Sequence, residues 1–386
     1  MRGGVFLALV LTFILVGMLN LGFKVQVVKA VPDLVYIKAD GSISPPSAPI
    51  YSADNVTYTL TGNLSSSIII ERDNILLNGA DFYVQGTGVS GSIGIDLSYR
   101  TNVTVKKVSI NTFWYGIYLI HSSNNSIIES NIESTNFGIY LYEFDSNYNK
   151  VLVNNITNNA VGIYVEGMDN VIYHNNFVGN AEQFNVLGSS NTWDDGYPSG
   201  GNYWSNYNGS DLKSGSAQDL NGSDAIGDVS YTLDNSNEDR YPLMGRMYIF
   251  DVGTWDSTSH QVQVINYPFG HVDYFELDAP KKLILLNLTA YTYTMGFCRL
   301  TIPTAIVDDM WPAGDYTMLI DGELRGYSNW TDAENTYLFA FTYFWRSNRL
   351  HLVVIPEFAS VLTLSLFMMS MLFALIIYKR RYTSLL

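Results

Sequence analysis

Between Gly94 and Val186 apolar and polar positions alternate in short bursts, and the bursts recur. Gly94-Ile95-Asp96-Leu97, Gly116-Ile117-Tyr118-Leu119, Gly138-Ile139-Tyr140-Leu141 and Gly162-Ile163-Tyr164-Val165 are four versions of one phrase, spaced 22, 22 and 24 residues apart. Each is followed by two apolar positions five residues apart: Val105 and Ile110, Ile127 and Ile132, Val151 and Ile156, Ile172 and Phe177. From the second of these the next phrase is always seven residues away, at Ile117, Ile139, Ile163 and Phe184. Alternation of period two predicts strands whose Ile and Leu or Val point inward while the residue between them points out. The 3.6-residue period of helical repeats and the LxxLxLxxN spacing of leucine-rich repeats are both missing. About three short strands per turn, joined at Gly, Asn and Ser corners, predict an all-β parallel β-helix with turns about 4.8 Å apart.

In such a stack like residues form columns. Ile95, Ile117, Ile139, Ile163 and Phe184 are expected inside, and Asn131, Asn155 and Asn176 are expected beside one another. Tyr118, Tyr140 and Tyr164 are expected as an aromatic file on one outer face. The surplus of the third turn falls in the polar stretch from Glu143 to Asn149, where an insertion leaves strand register intact.

The same reading divides the rest of the chain. Residues 1–30 carry Arg2, an apolar run and Val28-Lys29-Ala30, the pattern of a secretory signal or an uncleaved anchor. Residues 31–67, with Pro45, Pro46 and Pro49, form a lead-in that caps the open edge of the first turn. Repeats occupy 68–190. Residues 191–245 are rich in aromatics and Asp: Trp193, Tyr203 and Trp204 either cap the last turn or offer ring faces to a sugar. Residues 246–355 read as a small β-sandwich, with strands at Val262–Val264, Leu283–Leu286, Tyr316–Ile320 and Leu350–Val354 and a turn at Asp321-Gly322. Residues 356–386 hold about twenty apolar positions before Lys379-Arg380-Arg381, which predicts a transmembrane anchor with a cytoplasmic basic tail.

Composition narrows the chemistry. The chain has 386 residues, a net charge of −15 and one cysteine, Cys298, so it has no internal disulfide and no basic surface for a nucleic acid. Asn-x-Ser/Thr sequons lie at Asn55, Asn63, Asn102, Asn124, Asn155, Asn208, Asn221, Asn287 and Asn329. Asp219, Asn221, Asp224 and Asp228 have the oxygen spacing of a calcium loop but lack the closing bidentate Glu of an EF-hand.

The stretch SIIIERDNILLNGADFYVQGTG, the Gly-Ile-Tyr-Leu turns and the closing NTWDDGYPSGGNYWSNY, GSDAIGD and DRYPL together resemble archaeal surface proteins with NosD-like right-handed parallel β-helix repeats, of the type also described as carbohydrate-binding and sugar-hydrolysing. The resemblance covers about residues 35–245. It implies the fold and a cell-surface setting, and the family's name points to copper maturation. Gly296–Pro303 with Asp315–Glu323 resembles a module that often follows such β-helices. Pro356-Glu357-Phe358, an apolar helix and a basic tail resemble the archaeal PEF-type sorting signal, which implies cleavage by an archaeosortase.

Three functions follow as expectations. A polysaccharide hydrolase needs an acid and a base about 6.5–9.5 Å apart, and Asp194 and Asp195 are the candidates; the Gly-His-Gly and Arg-Ile-Lys motifs of β-helix polygalacturonases are missing. A polysaccharide lyase of this shape needs Ca²⁺ and a basic Lys or Arg, and its candidates Arg100, Lys106 and Lys107 form no evident constellation. A copper-handling factor needs clustered Met, Cys and His, whereas His121, His174, His260, His271 and His351 are scattered. A glycan-binding, adhesive or structural surface protein needs none of these, and is expected to use the Tyr118, Tyr140 and Tyr164 file.

Overall fold

The computed structural model describes residues 34–357, apart from 188–189, 256, 268–270, 290–292, 313 and 345–348. The expected signal segment, Phe358 and the apolar segment with its basic tail lie outside the described residues. Three parallel sheets wind into a β-helix. The largest, sheet A, has eight strands, among them Ile93–Asp96, Tyr115–Ile120, Phe137–Tyr142, Val161–Val165 and Glu182–Val186. Sheet B has seven strands, among them Val103–Lys106, Ser126–Ile128, Lys150–Leu152 and Val171–Tyr173, and sheet C six, among them Ser109–Asn111, Asn131–Glu133, Asn155–Thr157 and Asn176–Val178. Register is as the repeat demands: Ile95, Ile117, Ile139, Ile163 and Phe184 pair in succession, and the four isoleucines are fully buried. The lead-in supplies an antiparallel strand, Ile43–Ser44, that closes the first edge of sheet A.

Why the phrase begins with glycine is visible in the backbone. A Cβ on Gly94, Gly116 or Gly138 would stand 2.4 to 2.5 Å from the carbonyl oxygen of the next glycine in the column. The strands approach too closely there for any side chain. This is a demand of packing, not of backbone torsion.

The corners carry buried asparagine ladders. Within a turn the corner positions are five residues apart: Asn125, Ser130 and Thr135, then Asn149, Asn154 and Asn159, then Asn170, Asn175 and Asn180. At the first corner the Asn149 Oδ1 accepts from the Asn125 backbone N–H at 2.9 Å and side-chain Nδ2 at 3.2 Å. Asn149 gives the same pair to Asn170, and Asn170 to Asn191. The second corner runs Ser130, Asn154, Asn175, Asn202, and the third Thr135, Asn159, Asn180. The strand ladder cannot continue through a bend, so these amides take over its donors and acceptors. The expected file of Asn131, Asn155 and Asn176 is also present on the outside of sheet C, with Nδ2 to Oδ1 distances of 2.8 and 2.7 Å.

The far end is closed by residues 191–245. Trp204 stacks on Phe177 with ring centroids 4.4 Å apart, and Trp193 lies 6.0 Å from Trp204. Beyond it two five-stranded antiparallel sheets form a sandwich. One contains Arg246–Trp255, Thr258–Tyr267, Thr294–Pro303, Asn335–Phe344 and Ser328–Thr331; the other contains His271–Asp278, Leu283–Thr289, Arg349–Pro356, Tyr316–Ile320 and Glu323–Leu324. Asp321 and Gly322, with φ of 52° and 79°, make the tight turn read at that dipeptide. The first sheet is covered on both faces along its middle, while Met295, Phe341 and Tyr343 at its far end are exposed. Val264, Cys298 and Leu300 face the sandwich core, while Ile265, Phe297 and Phe339 pack on Leu243 and Ile226 of the β-helix cap. That is why Gly296–Ile302 is buried without alternation. A short helix, Thr304–Met310, which the periodicity did not signal, covers one end of the core with Ile306, Val307 and Met310.

Two substitutions test this account. Gly138→Ala forces a Cβ onto the Gly162 carbonyl, and Asn154→Ala leaves ladder donors and acceptors unpaired in the interior; each is expected to lower stability by about 1–3 kcal/mol. Urea denaturation measures both. Alanine at the exposed Ser236 is the control and is expected to change little.

Candidate functional site

Sheet A carries its outward side chains in columns, because side chains alternate and register is preserved between turns. Tyr118 pairs with Tyr140 and Tyr140 with Tyr164. Their rings stack, with centroids 5.5 and 4.5 Å apart and planes inclined by 5° and 20°. A second column places Tyr115 against Phe137 at 5.4 Å, and Tyr142 stacks on Tyr140 at 5.4 Å. Six rings from three adjacent strands therefore make one wall, where the sequence suggested a single file. All six are half-buried. Their faces are largely taken up by one another, so the wall offers solvent mainly ring edges and phenolic hydroxyls. Each offset or stacked pair contributes about 0.5–1.5 kcal/mol beyond burial, which stiffens the wall before any ligand arrives.

The rim of the wall is acidic. The Tyr164 hydroxyl donates to Glu166 Oε1 at 2.6 Å, and the Glu143 backbone N–H donates to Glu166 Oε2 at 2.9 Å. Burial raises the hydroxyl pKa of Tyr118, Tyr140 and Tyr164 above the usual phenol value. For Tyr140 burial acts first, then Tyr115 and Glu166, and the value is pushed up to about 12. The hydroxyls are therefore neutral and able both to donate and to accept at ordinary pH.

The other sequence candidates lie elsewhere. Trp193 and Trp204, each 1% exposed, and Tyr203, 6% exposed, turn no ring face to solvent. Their apolar surface closes the last turn, and the indole nitrogens donate inward, to Asn237 and Asp239. Asp194 is buried and held by Arg240 through Nη2 at 2.7 Å and Nε at 3.0 Å, with the Arg240 and Gly196 backbone N–H groups completing its shell. A carboxylate so fully engaged is a clasp for the cap. Asp195 is exposed and accepts from the Ser199 hydroxyl, which in turn lies 3.2 Å from His174 Nε2. Burial, and then the Arg299 charge, push His174 down to about 4. The hydroxyl stands between the imidazole and the Asp195 carboxylate, which therefore does not bond the ring directly as the acid of a catalytic triad does.

The Asp-rich loop spends its oxygens on backbone and side-chain donors of its own segment. Asp228 accepts from Ser210, Leu212 and Lys213; Asp224 accepts from Ile226 and Gln218; Asn221 accepts from Lys213 Nζ. Asp219 is exposed. Asp211, absent from the sequence reading, anchors the loop by accepting from the Asp224 and Ala225 backbone N–H groups. Arg299 reaches it from the sandwich, buried, donating to the carbonyls of Asp224 and Ser199 and lying over the Tyr337 ring. Neither residue had a motif to mark it, because contacts 75 and 100 residues away define the role of Arg299.

Of the sequons, Asn55, Asn63, Asn102, Asn124, Asn208, Asn221 and Asn329 are exposed and Asn287 is half-buried. Asn155 spends its amide nitrogen on the outer ladder. Pro356 ends the last sandwich strand and the Glu357 N–H donates to the Asp315 carbonyl.

Desolvation first, opposed by hydrogen bonds, pushes the carboxyls of Asp211 and Asp239 up to about 7. Both values lie above the unfolded one, so the folded state binds more protons between about pH 4 and 7. Their contribution to stability is complete below the unfolded value and is lost as pH rises through about 7. Urea midpoints across that range are expected to fall with rising pH, and Asp211→Asn is expected to flatten the slope.

Residues 28–209 match the protein family described as Periplasmic copper-binding protein (NosD). No curated protein and no solved structure matches the chain. Fold and family match agree on NosD-like parallel β-helix repeats, in a family whose description places it outside the cytoplasm.

Proposed function

We propose that this chain is a surface protein outside the cytoplasm whose β-helix presents the outer face of sheet A to a glycan. The observation that carries the reading is the six-ring wall of Tyr115, Tyr118, Phe137, Tyr140, Tyr142 and Tyr164, assembled in register on a rigid sheet. A row of ring edges and phenolic hydroxyls suits sugars, whose hydroxyls exchange hydrogen bonds with the phenols while their C–H groups rest against the ring edges. Rigid presentation lowers the entropic cost of binding a long chain. The sandwich acts as a spacer towards the C-terminus, and a membrane tether through 359–378, with or without trimming after Pro356-Glu357-Phe358, belongs to the same proposal.

Copper handling gains little support from the residues. Among the described residues no group of three His, Cys, Asp or Glu side chains is placed to hold a metal ion. Cys298 is buried in the sandwich, where burial pushes its thiol up to about 12. His121 pairs with Asp145 and His351 with Asn287, on different parts of the fold.

The test is calorimetry of the full chain in detergent against a panel of neutral, acidic and amino-sugar hexasaccharides, with turnover followed on the same samples. At least one is expected to bind. Tyr118→Ala, Tyr140→Ala and Tyr164→Ala combined are expected to abolish that binding, about a hundredfold or more, while the Phe versions retain part of it. Unchanged binding in the folded triple variant overturns the reading.

A further inference from the structure

The aromatic wall is bordered by charge of one sign. The strands Ile93–Asp96, Tyr115–Ile120, Phe137–Tyr142, Val161–Val165 and Glu182–Val186 contain no Lys, Arg or His. Asp96 stands at one end of the tyrosine column, paired with Tyr118. Glu182 pairs with Val161 at the end of the neighbouring column. Glu143 and Glu166 follow directly after their strands, at the corner. The nearest cationic groups are engaged elsewhere: Arg100 is spent on the Glu71 carbonyl and Asp73, Lys150 lies on sheet B, and His121, which follows Ile120 at the corner one turn before Glu143, is paired with Asp145 at 2.8 Å and stacked on Tyr99. The tyrosines register the resulting field, since Asp96 and Glu143 add to the upward shift of Tyr118 and Glu166 to that of Tyr140.

A polysaccharide of uronic acids brought to this wall meets carboxylates and, among the described residues, finds no cationic side chain on the wall strands and at the corner only His121, which Asp145 already pairs. A protonated amine meets carboxylates on the rim and phenolic oxygens that accept hydrogen bonds. We infer that the wall of sheet A takes an amino-sugar glycan with free, protonated amines, the sugar backbone lying along the tyrosine column and its ammonium groups directed to Asp96, Glu143 and Glu182. This rests on the glycan-binding reading above and adds the charge of the ligand to it. The wall runs parallel to the helix axis for at least three turns, so a chain of several sugars is engaged at once and weak contacts add through multivalency.

The experiment compares three hexasaccharides by calorimetry with the full chain in detergent, at a mildly acidic pH where the amines are charged: glucosamine, N-acetylglucosamine and galacturonate. The glucosamine hexamer is expected to bind on the order of tenfold more tightly than its N-acetylated form, with an advantage that shrinks as salt is added. Glu143→Gln with Glu182→Gln, checked for an unchanged melting temperature, is expected to remove most of that advantage. Binding of the N-acetylated or galacturonate hexamer with equal or greater affinity, or a selectivity untouched by these two substitutions, overturns the charge inference while leaving the glycan reading in place. Failure of all three hexamers to bind overturns both.

Discussion

A stack of short parallel strands has a difficulty at every bend. Along each strand the backbone N–H and C=O groups pair with the turns above and below, but at a corner the chain swings out of register with that ladder. Buried donors without partners cost about 1–3 kcal/mol each, enough in sum to unfold a domain of this kind. Here the corner side chains resolve it. One amide accepts from the backbone and side-chain nitrogen of the turn before, and donates to the turn after. Three such ladders line the corners, and the inward isoleucine columns are held in register between them.

Ladders and columns alike must stop somewhere, and the stopping points explain the cap. The first corner ladder ends on Asn237, which is itself held by Asp234. The second ends on Asp239, which accepts from the Asn202 and Tyr241 backbone N–H groups and from the Trp204 indole. Gly201 lies against this carboxylate, where a Cβ would overlap it at 1.8 Å. The tryptophans that invite a sugar-binding reading are therefore the lid of the hydrophobic column. The same economy holds for Asp194, whose charge is matched by Arg240 to tie the cap together.

The outer face of sheet A follows from the same regularity. Register that stacks Ile117 on Ile139 necessarily stacks Tyr118 on Tyr140, since adjacent positions in a strand face opposite ways. A wall of aromatic rings is thus a by-product of the core's precision, and its rigidity is inherited from the core. On the proposed function, that rigidity is what a repeating polymer would meet.

Much of the architecture was legible in the chain because a repeat exposes its own register. Identical residues at 22- to 24-residue spacing allow one strand's environment to stand for all, so the isoleucine column, the tyrosine file and the outer asparagine file could be read directly. The inner ladders carried a signal as well, Asn at five-residue steps in 149, 154, 159 and again in 170, 175, 180. That signal was obscured by the abundance of Asn and by Ser130 and Thr135 standing at equivalent corners. Non-repeating contacts had no such marker. Tyr115, Phe137 and Tyr142 joined the wall only once neighbouring columns were seen side by side. The fate of Trp193 and Trp204 and the engagement of Asp194 by Arg240, 46 residues away, depended on which surface the chain folded back upon. Arg299 was placed by the sandwich sheet docking on the cap. Sequence by itself determined the strands, their period and the residues that face in, because these are local alternations repeated many times. Only the tertiary structure decided what is covered and what remains open, because burial of a single side chain is set by distant segments that meet it once.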